Sequence, residues 1–186
     1  MKLTGDILAR IALDAGALIM DVYATDFNVD RKDDSSPVTE ADERAEALIL
    51  AALAEADPSL PVIAEESVAA GNIPEHGSRF ALVDPLDGTK EFINRNGEFT
   101  VNIALVERGV PVLGVVHVPV TDVTYYGGSA VAGAWRVEAG KDAKALQPRP
   151  IEEATTLARF VASRSHRGVQ VDQLIQQAAT RFDAIE

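Results

Sequence analysis

The sequence predicts an α+β layered protein, with N-terminal helices over an antiparallel sheet and then the opening strand and helix of a C-terminal α/β domain. Three observations carry this. Apolar residues recur at helical spacing through the first 56 residues, β-rich runs broken by Gly and Pro fill residues 99–138, and a polar stretch at 140–150 precedes one further strand and helix. A strand with a single helix cannot bury both faces of a new sheet. Residues 151–186 therefore read as the beginning of a second domain, and 1–150 as a first one.

In order along the chain, Ile7, Leu8, Ile11, Ala15, Leu18, Ile19 and Val22 predict a helix over 4–24 with Thr4 as N-cap. Residues 27–30 alternate as a short strand, and 33–37 are a loop by composition. A second helix starts at Thr39 and runs through Leu48, Ile49, Ala52 and Leu53 to Ala56, before Pro58 and Pro61. Two short buried strands follow at 62–64 and 80–83, each running directly into carboxylates, Glu65-Glu66 and Asp84. An antiparallel meander is expected from strands at 99–107, 112–118, 123–126 and 130–138, with a turn at 108–111. The stretch 140–150 reads as a linker, 159–162 as a strand and 169–182 as a helix.

The composition is that of a soluble globular protein, 47% hydrophobic and 25% charged, with no apolar run long enough to span a membrane. The N-terminus meets Asp6 before any apolar core, so it does not read as a secretory signal. There is no cysteine, which excludes disulfides, zinc thiolate sites and thiol nucleophiles. The cytoplasm is the compartment expected, with peripheral association with the inner membrane left open. The formal net charge is −12, and residues 26–66 hold twelve acidic against three basic residues. Such a surface repels a nucleic-acid polymer, whose binding rests on phosphate neutralisation by Lys and Arg. Most of these acids read as solvated surface; a few holding divalent cations would let an acidic protein accept a small anionic substrate.

Residues 82–89, Leu-Val-Asp-Pro-Leu-Asp-Gly-Thr, are the most informative. A strand delivers Asp84 to its end, Pro85 is expected to force the chain out of the sheet, and Asp87 returns a second carboxylate to the same side. Asp84 and Asp87 bracket the Leu86 carbonyl, an all-oxygen hard-ligand set suited to Mg²⁺. Gly88 and Thr89 offer backbone N–H groups at a helix start, where an anion is favoured. The same residues are also common turn formers, and both readings stand on this segment alone. An aspartyl nucleophile of the haloacid-dehalogenase type is excluded, because position 85, where it would stand, is Pro. Glu65-Glu66-Ser67 ends the preceding strand, and parallel pairing of the two strands would bring Glu65 towards Asp84. Thr39 and Asp42 have capping-box-like spacing. Capping is the plainer reading for Thr39, while Asp42 stays open between cap and site.

The order of 37–42 (Pro-Val-Thr-Glu-Ala-Asp), 65–67 (Glu-Glu-Ser) and 84–89 (Asp-Pro-Leu-Asp-Gly-Thr) resembles the Mg²⁺-dependent, lithium-sensitive phosphomonoesterases of the inositol monophosphatase superfamily. The continuation at 90–105 and Ser163-Arg164-Ser165-His166 is closer to its 3′(2′),5′-bisphosphate nucleotidase branch. The resemblance covers essentially the whole chain. It implies an inositol monophosphatase/fructose-1,6-bisphosphatase-like layered αβαβα sandwich with an incomplete C-terminal domain. It also implies a place in sulfur metabolism and removal of the 3′-phosphate of adenosine 3′,5′-bisphosphate, giving AMP and phosphate. By the same resemblance, two or more Mg²⁺ ions are bound in the complete site, Glu65, Asp84 and the Leu86 carbonyl holding one and Asp84 and Asp87 the second. Glu65 and Thr89 position and deprotonate the attacking water, with Asp42 behind Thr89. Asp87 and the Gly88 and Thr89 amides bind the phosphoryl group, and Ser163 and His166 contact the nucleotide. His166 reads equally as a surface histidine at a strand-to-helix turn. Trp135 reads as packing for the meander, and Glu66 as a neighbour of the metal ligand.

The family's further metal-binding Asp, in a Trp-Asp motif, has no match, since the only Trp is followed by Arg136. Members continue beyond position 186, so the chain is expected to be truncated at its C-terminus. An inositol-phosphate or sugar-phosphate phosphatase is the alternative enzyme, and an inactive metal- or phosphate-binding fragment the alternative of another class. Oligomeric state is not legible.

Overall fold

The structure, a computed structural model, describes residues 3–31, 37–148, 157–158, 168–180 and 184–185. The chain divides into two compact units, Met1–Gln147 and Pro148–Glu186.

The first unit opens with α1 (Gly5–Tyr23), whose N-cap Thr4 accepts a hydrogen bond from the Ile7 amide at 3.3 Å. β1 (Val29–Arg31) and β2 (Pro37–Thr39) form a small antiparallel ladder. Thr39 then caps α2 (Glu40–Ala56). Leu8, Ile11, Ala15 and Ile19 of α1 and Ala45, Ile49 and Leu53 of α2 are buried, so both helices turn the predicted apolar stripe inward.

They pack on one seven-stranded sheet with strands in sequence order: β3 (Val62–Ala64), β4 (Arg79–Asp87), β5 (Thr100–Glu107), β6 (Val110–Val118), β7 (Val123–Gly128), β8 (Gly133–Glu138) and β9 (Lys144–Leu146). All pairs are antiparallel except β3–β4. Val101, Ile103 and Leu105 of β5 and Leu113 and Val115 of β6 face the helices, as the period of two requires. Leu82 and Val116 remain 42% and 41% exposed. The strand at 80–83 is thus buried on one face only.

Several expectations are corrected. Pro85 does not expel the chain from the sheet: β4 continues to Asp87, with its register to β5 shifted between Asp84 and Asp87. Proline lacks a ladder donor, and a bulge is where a strand accommodates one. Strand β6 begins at Val110 and contains Pro111 beside another register shift, leaving Arg108-Gly109 as a two-residue turn with φ of 52° and 76°. The stretch 140–150 is not wholly linker, because Lys144–Leu146 pairs with β8 as β9. A short helix, α3 (Glu65–Ala69), follows β3 where none was expected, and α4 (Thr89–Ile93) follows β4. Trp135 packs against Tyr126 with ring centroids 6.5 Å apart.

The second unit holds β10 (Leu157–Ala158) paired in parallel with β11 (Ala184–Ile185), and α5 (Val169–Ala179). Helix α5 ends before the predicted 182. The strand expected at 159–162 lies outside the described residues. No helix among the described residues is long and apolar enough to cross a membrane.

Candidate active site

Two neighbouring strand ends build the site. Parallel pairing of β3 with β4 sets Ala64 opposite Val83, so the next residues, Glu65 and Asp84, emerge side by side. Asp84 is half-buried opposite Asn102 of β5, while Glu65 and Asp87 stand exposed. The shifted register beyond Asp84 re-aims the strand end and brings Asp87 onto Thr100. Asn102 donates to Asp87 Oδ2 at 3.1 Å, and Thr100 Oγ1 donates to Asn102 Oδ1 at 3.2 Å.

Asp84 is the electrostatic centre. Burial, then the Glu65 and Asp87 charges, push its carboxyl up to about 7, opposed by the Leu86 amide. Its Oδ1 is buried without a hydrogen-bond partner. An orphaned oxygen on a half-buried carboxylate beside two exposed acids is what a hard cation with oxygen ligands relieves, so these residues fit a divalent metal. Among the described residues no three acidic or imidazole side chains already close into a cation cage. The fit therefore rests on the donor chemistry and charge around Asp84, with Leu86 buried between the two aspartates.

Thr89 opens α4 beside these acids. Gly88 takes a left-handed φ of 99°, and a Cβ there would meet the Glu98 carbonyl oxygen at 2.9 Å, so this turn from strand to helix requires glycine. Phe92 fixes the helix from below, with ring centroids 4.6–5.2 Å from Phe27, Tyr23 and Phe99. Thr89 Oγ1 lies 3.1 Å from Asp42 Oδ1 and 3.4 Å from the Leu86 carbonyl. A hydroxyl has one proton, and the nearer, charged acceptor takes it, which leaves the oxygen's lone pairs available to a water.

Asp42 is both cap and site residue. Its Oδ2 accepts from the Thr39 amide at 2.8 Å and the Thr39 hydroxyl at 2.7 Å, completing a capping box, while its Oδ1 holds Thr89. Burial raises the Asp42 carboxyl above its ordinary range, opposed by the Thr39 and Thr89 hydrogen bonds. Glu65, Asp84, Leu86, Asp87, Gly88, Thr89 and Asp42 are thus drawn to one end of the sheet, whereas Ser163 and His166 lie outside the described residues.

Sequence reasoning missed Glu46, which is 4% exposed and accepts from the Glu66 amide at 2.7 Å and from the Ser67 amide and hydroxyl at 2.8 and 2.5 Å. An acid one turn beyond Asp42, beside the apolar positions 45 and 49, was the signal. Asn102 was missed as well, and an outward residue in an alternating strand gives no such signal.

The model of the inositol monophosphatase family matches residues 5–183. The chain is 46% identical over 174 residues to the 3′(2′),5′-bisphosphate nucleotidase CysQ of Salmonella typhimurium, covering 91% of this chain and 67% of that one. It is 44% identical over 177 residues to the CysQ nucleotidase of Escherichia coli K12, at 92% and 68% coverage. The crystal structure of CysQ from Bacteroides thetaiotaomicron superposes with a TM-score of 0.73 at 32% identity, over 97% of this chain and 70% of that one. The chain thus spans about two thirds of the length of these relatives, with an ordered set of acids at one sheet end, and it belongs to the inositol monophosphatase family.

Proposed function

We propose that this chain carries the metal and phosphate chemistry of a 3′(2′),5′-bisphosphate nucleotidase, hydrolysing the 3′-phosphate of adenosine 3′,5′-bisphosphate to AMP and phosphate. The observation that carries this is the orphaned Asp84 Oδ1 in its group of acids, beside a Thr89 hydroxyl directed onto Asp42. The relatives named as nucleotidases favour this substrate over an inositol phosphate.

Glu65, Asp84, the Leu86 carbonyl and Asp87 would hold divalent metal, and the all-oxygen donor set favours Mg²⁺. When bound, such ions polarise the phosphoryl oxygens and lower the pKa of bound water. The remaining work falls to the chain. Thr89, its proton committed to Asp42, accepts a hydrogen bond from the incoming water and orients it, and Glu65 takes up the water proton. Asn102 keeps Asp87 turned to its place. The amides of Gly88, the N-cap of α4, and of Thr89, its first residue, face the phosphoryl group, since donors at a helix start have no partner within the helix. The water oxygen joins phosphorus as the bond to the 3′ oxygen breaks, that oxygen takes a proton from solvent water, and Glu65 returns the proton it took to solvent. We place this chemistry in residues 1–150 and assign 151–186 to the C-terminal α/β part, with Ser163 and His166 as nucleotide contacts.

Phosphate release from adenosine 3′,5′-bisphosphate should be abolished by EDTA and restored by Mg²⁺, and kcat/KM should exceed that for inositol 1-phosphate. Full turnover in chelator would overturn the metal assignment, and the opposite substrate preference would move the chain to the inositol-phosphate branch.

A further inference from the structure

Helix α2 carries two buried carboxylates one turn apart on the same face, Asp42 at 1% and Glu46 at 4% exposure. Each grips a different element of the site. Asp42 holds the Thr89 hydroxyl at 3.1 Å, while Glu46 takes the Glu66 and Ser67 amides at 2.7 and 2.8 Å and the Ser67 hydroxyl at 2.5 Å. The two amides are first-turn donors of α3, the helix that opens with Glu65, and Ala64 before it provides no side-chain cap. Capping of α3 has thus been moved from its own N-cap to a carboxylate twenty residues upstream.

A local cap, Ser or Asp at 64, would stabilise α3 equally well. It would not tie α3 to the helix that holds Thr89. With Glu46 in that role, the start of α3 and the Thr89 hydroxyl are both referenced to one rigid helical turn of about 6 Å rise. Three charge-assisted hydrogen bonds offset the desolvation of a buried carboxylate and fix its direction.

We propose that Glu46 is a positioning residue: it sets where the Glu65 carboxylate stands relative to Asp84 and Thr89, and through that the affinity of the site for divalent metal. This rests on the assignment of Glu65 and Asp84 as metal ligands.

The test is Mg²⁺ titration by calorimetry on the metal-free chain, with steady-state kinetics beside it. In Glu46→Gln the amide nitrogen faces an N–H donor that it cannot accept. The Mg²⁺ dissociation constant is expected to rise on the order of tenfold, with kcat falling as well because Glu65 also takes up the water proton. Ser67→Ala, which removes only the hydroxyl donor, is expected to shift the constant in the same direction by less. A purely structural role would lower the melting temperature and leave Mg²⁺ affinity where it was; that result in a folded Glu46→Gln, or in Ser67→Ala should Glu46→Gln fail to fold, overturns the proposal. Asp84→Asn separates the two levels. If Asp84→Asn binds Mg²⁺ as the parent does, the ligand assignment falls and this proposal with it. If Asp84→Asn loses Mg²⁺ while Glu46→Gln keeps parental affinity, only the positioning role falls.

Discussion

Asp42 serves two partners at once, closing the capping box of α2 through Oδ2 and directing the Thr89 hydroxyl through Oδ1. The spacing of Thr39 and Asp42 made the cap legible, but the second use depends on a residue 47 positions away. Thr89→Ala removes the oriented hydroxyl while leaving the carboxylates in place, so kcat should fall about 100-fold or more with little change in Mg²⁺ affinity. Thr89→Ser should restore most of the loss, and steady-state kinetics on the pair would check this. Asp84 shows the opposite tension between function and stability. Its crowding with Glu65 and Asp87 opposes folding when no cation is bound, because burial and two like charges disfavour the ionised form. In chelator at about pH 8, Asp84→Asn should therefore stabilise the chain by about 1 kcal/mol, well short of the full shift because water screens the half-buried site, while abolishing turnover. Urea denaturation of parent and variant measures it.

Helix α1 lies flush on the sheet because it carries glycine where it crosses strands. A Cβ at Gly5 would stand 2.4 Å from the Tyr126 ring of β7, and one at Gly16 2.4 Å from the His117 ring of β6. Helix propensity alone favours Gly16→Ala by about 1 kcal/mol. The His117 ring is fully buried and has no room to retreat, so overpacking should win and the substitution should destabilise the chain by about 1–3 kcal/mol. A higher denaturation midpoint for Gly16→Ala would refute this packing argument. The other end of α1 has no basic residue in its last turn; Arg95 supplies one, donating to the Tyr23 and Thr25 carbonyls while its guanidinium lies 4.8 and 4.7 Å from the Tyr23 and Phe27 ring centres. The strand–helix turn at Gly88 and the helix α1 terminus are thereby joined through residues just after the site.

For the first unit as a whole, His117 at the helix–sheet joint is one source of acid sensitivity, beside Asp57, whose carboxyl Ser59 and Arg79 hold below its ordinary range. His117 is 2% exposed, with Nδ1 2.9 Å from Thr124 Oγ1, and burial lowers its pKa below the ordinary 6.5, opposed by the Asp122 charge and a Val123 backbone hydrogen bond. The folded chain keeps the imidazole neutral, whereas the unfolded chain takes up a proton as pH falls past 6.5. Its contribution is thus intact above that pH and is lost as pH falls towards the depressed folded value. Asp42 and Asp84, with their raised pKa values, contribute with the opposite sign, Asp84 near pH 7 within the same window, so the His117 effect is read as a difference. Between about pH 7.5 and 5.5 the parent should lose stability relative to His117→Gln, measured by urea midpoints at both pH values.

The sequence determined the elements whose signals are local. Caps at Thr4 and Thr39 and apolar spacing of three and four fixed α1 and α2 almost to the residue, because a capping hydrogen bond and a buried stripe are set within a few positions. It also determined the order of acids, Asp42, Glu65, Asp84 and Asp87, on which the family reading rests. Tertiary structure decided what depends on distant partners. Strand β4 persists through Pro85 because pairing with β5 resumes at Asp87, β9 exists because β8 offers an edge, and α3 forms where Glu46 caps it from another helix. The juxtaposition of Glu65 with Asp84 likewise required β3 to pair in parallel with β4. Periodicity reports which face of an element is buried, but not which partner buries it, and the partner sets the geometry of the site.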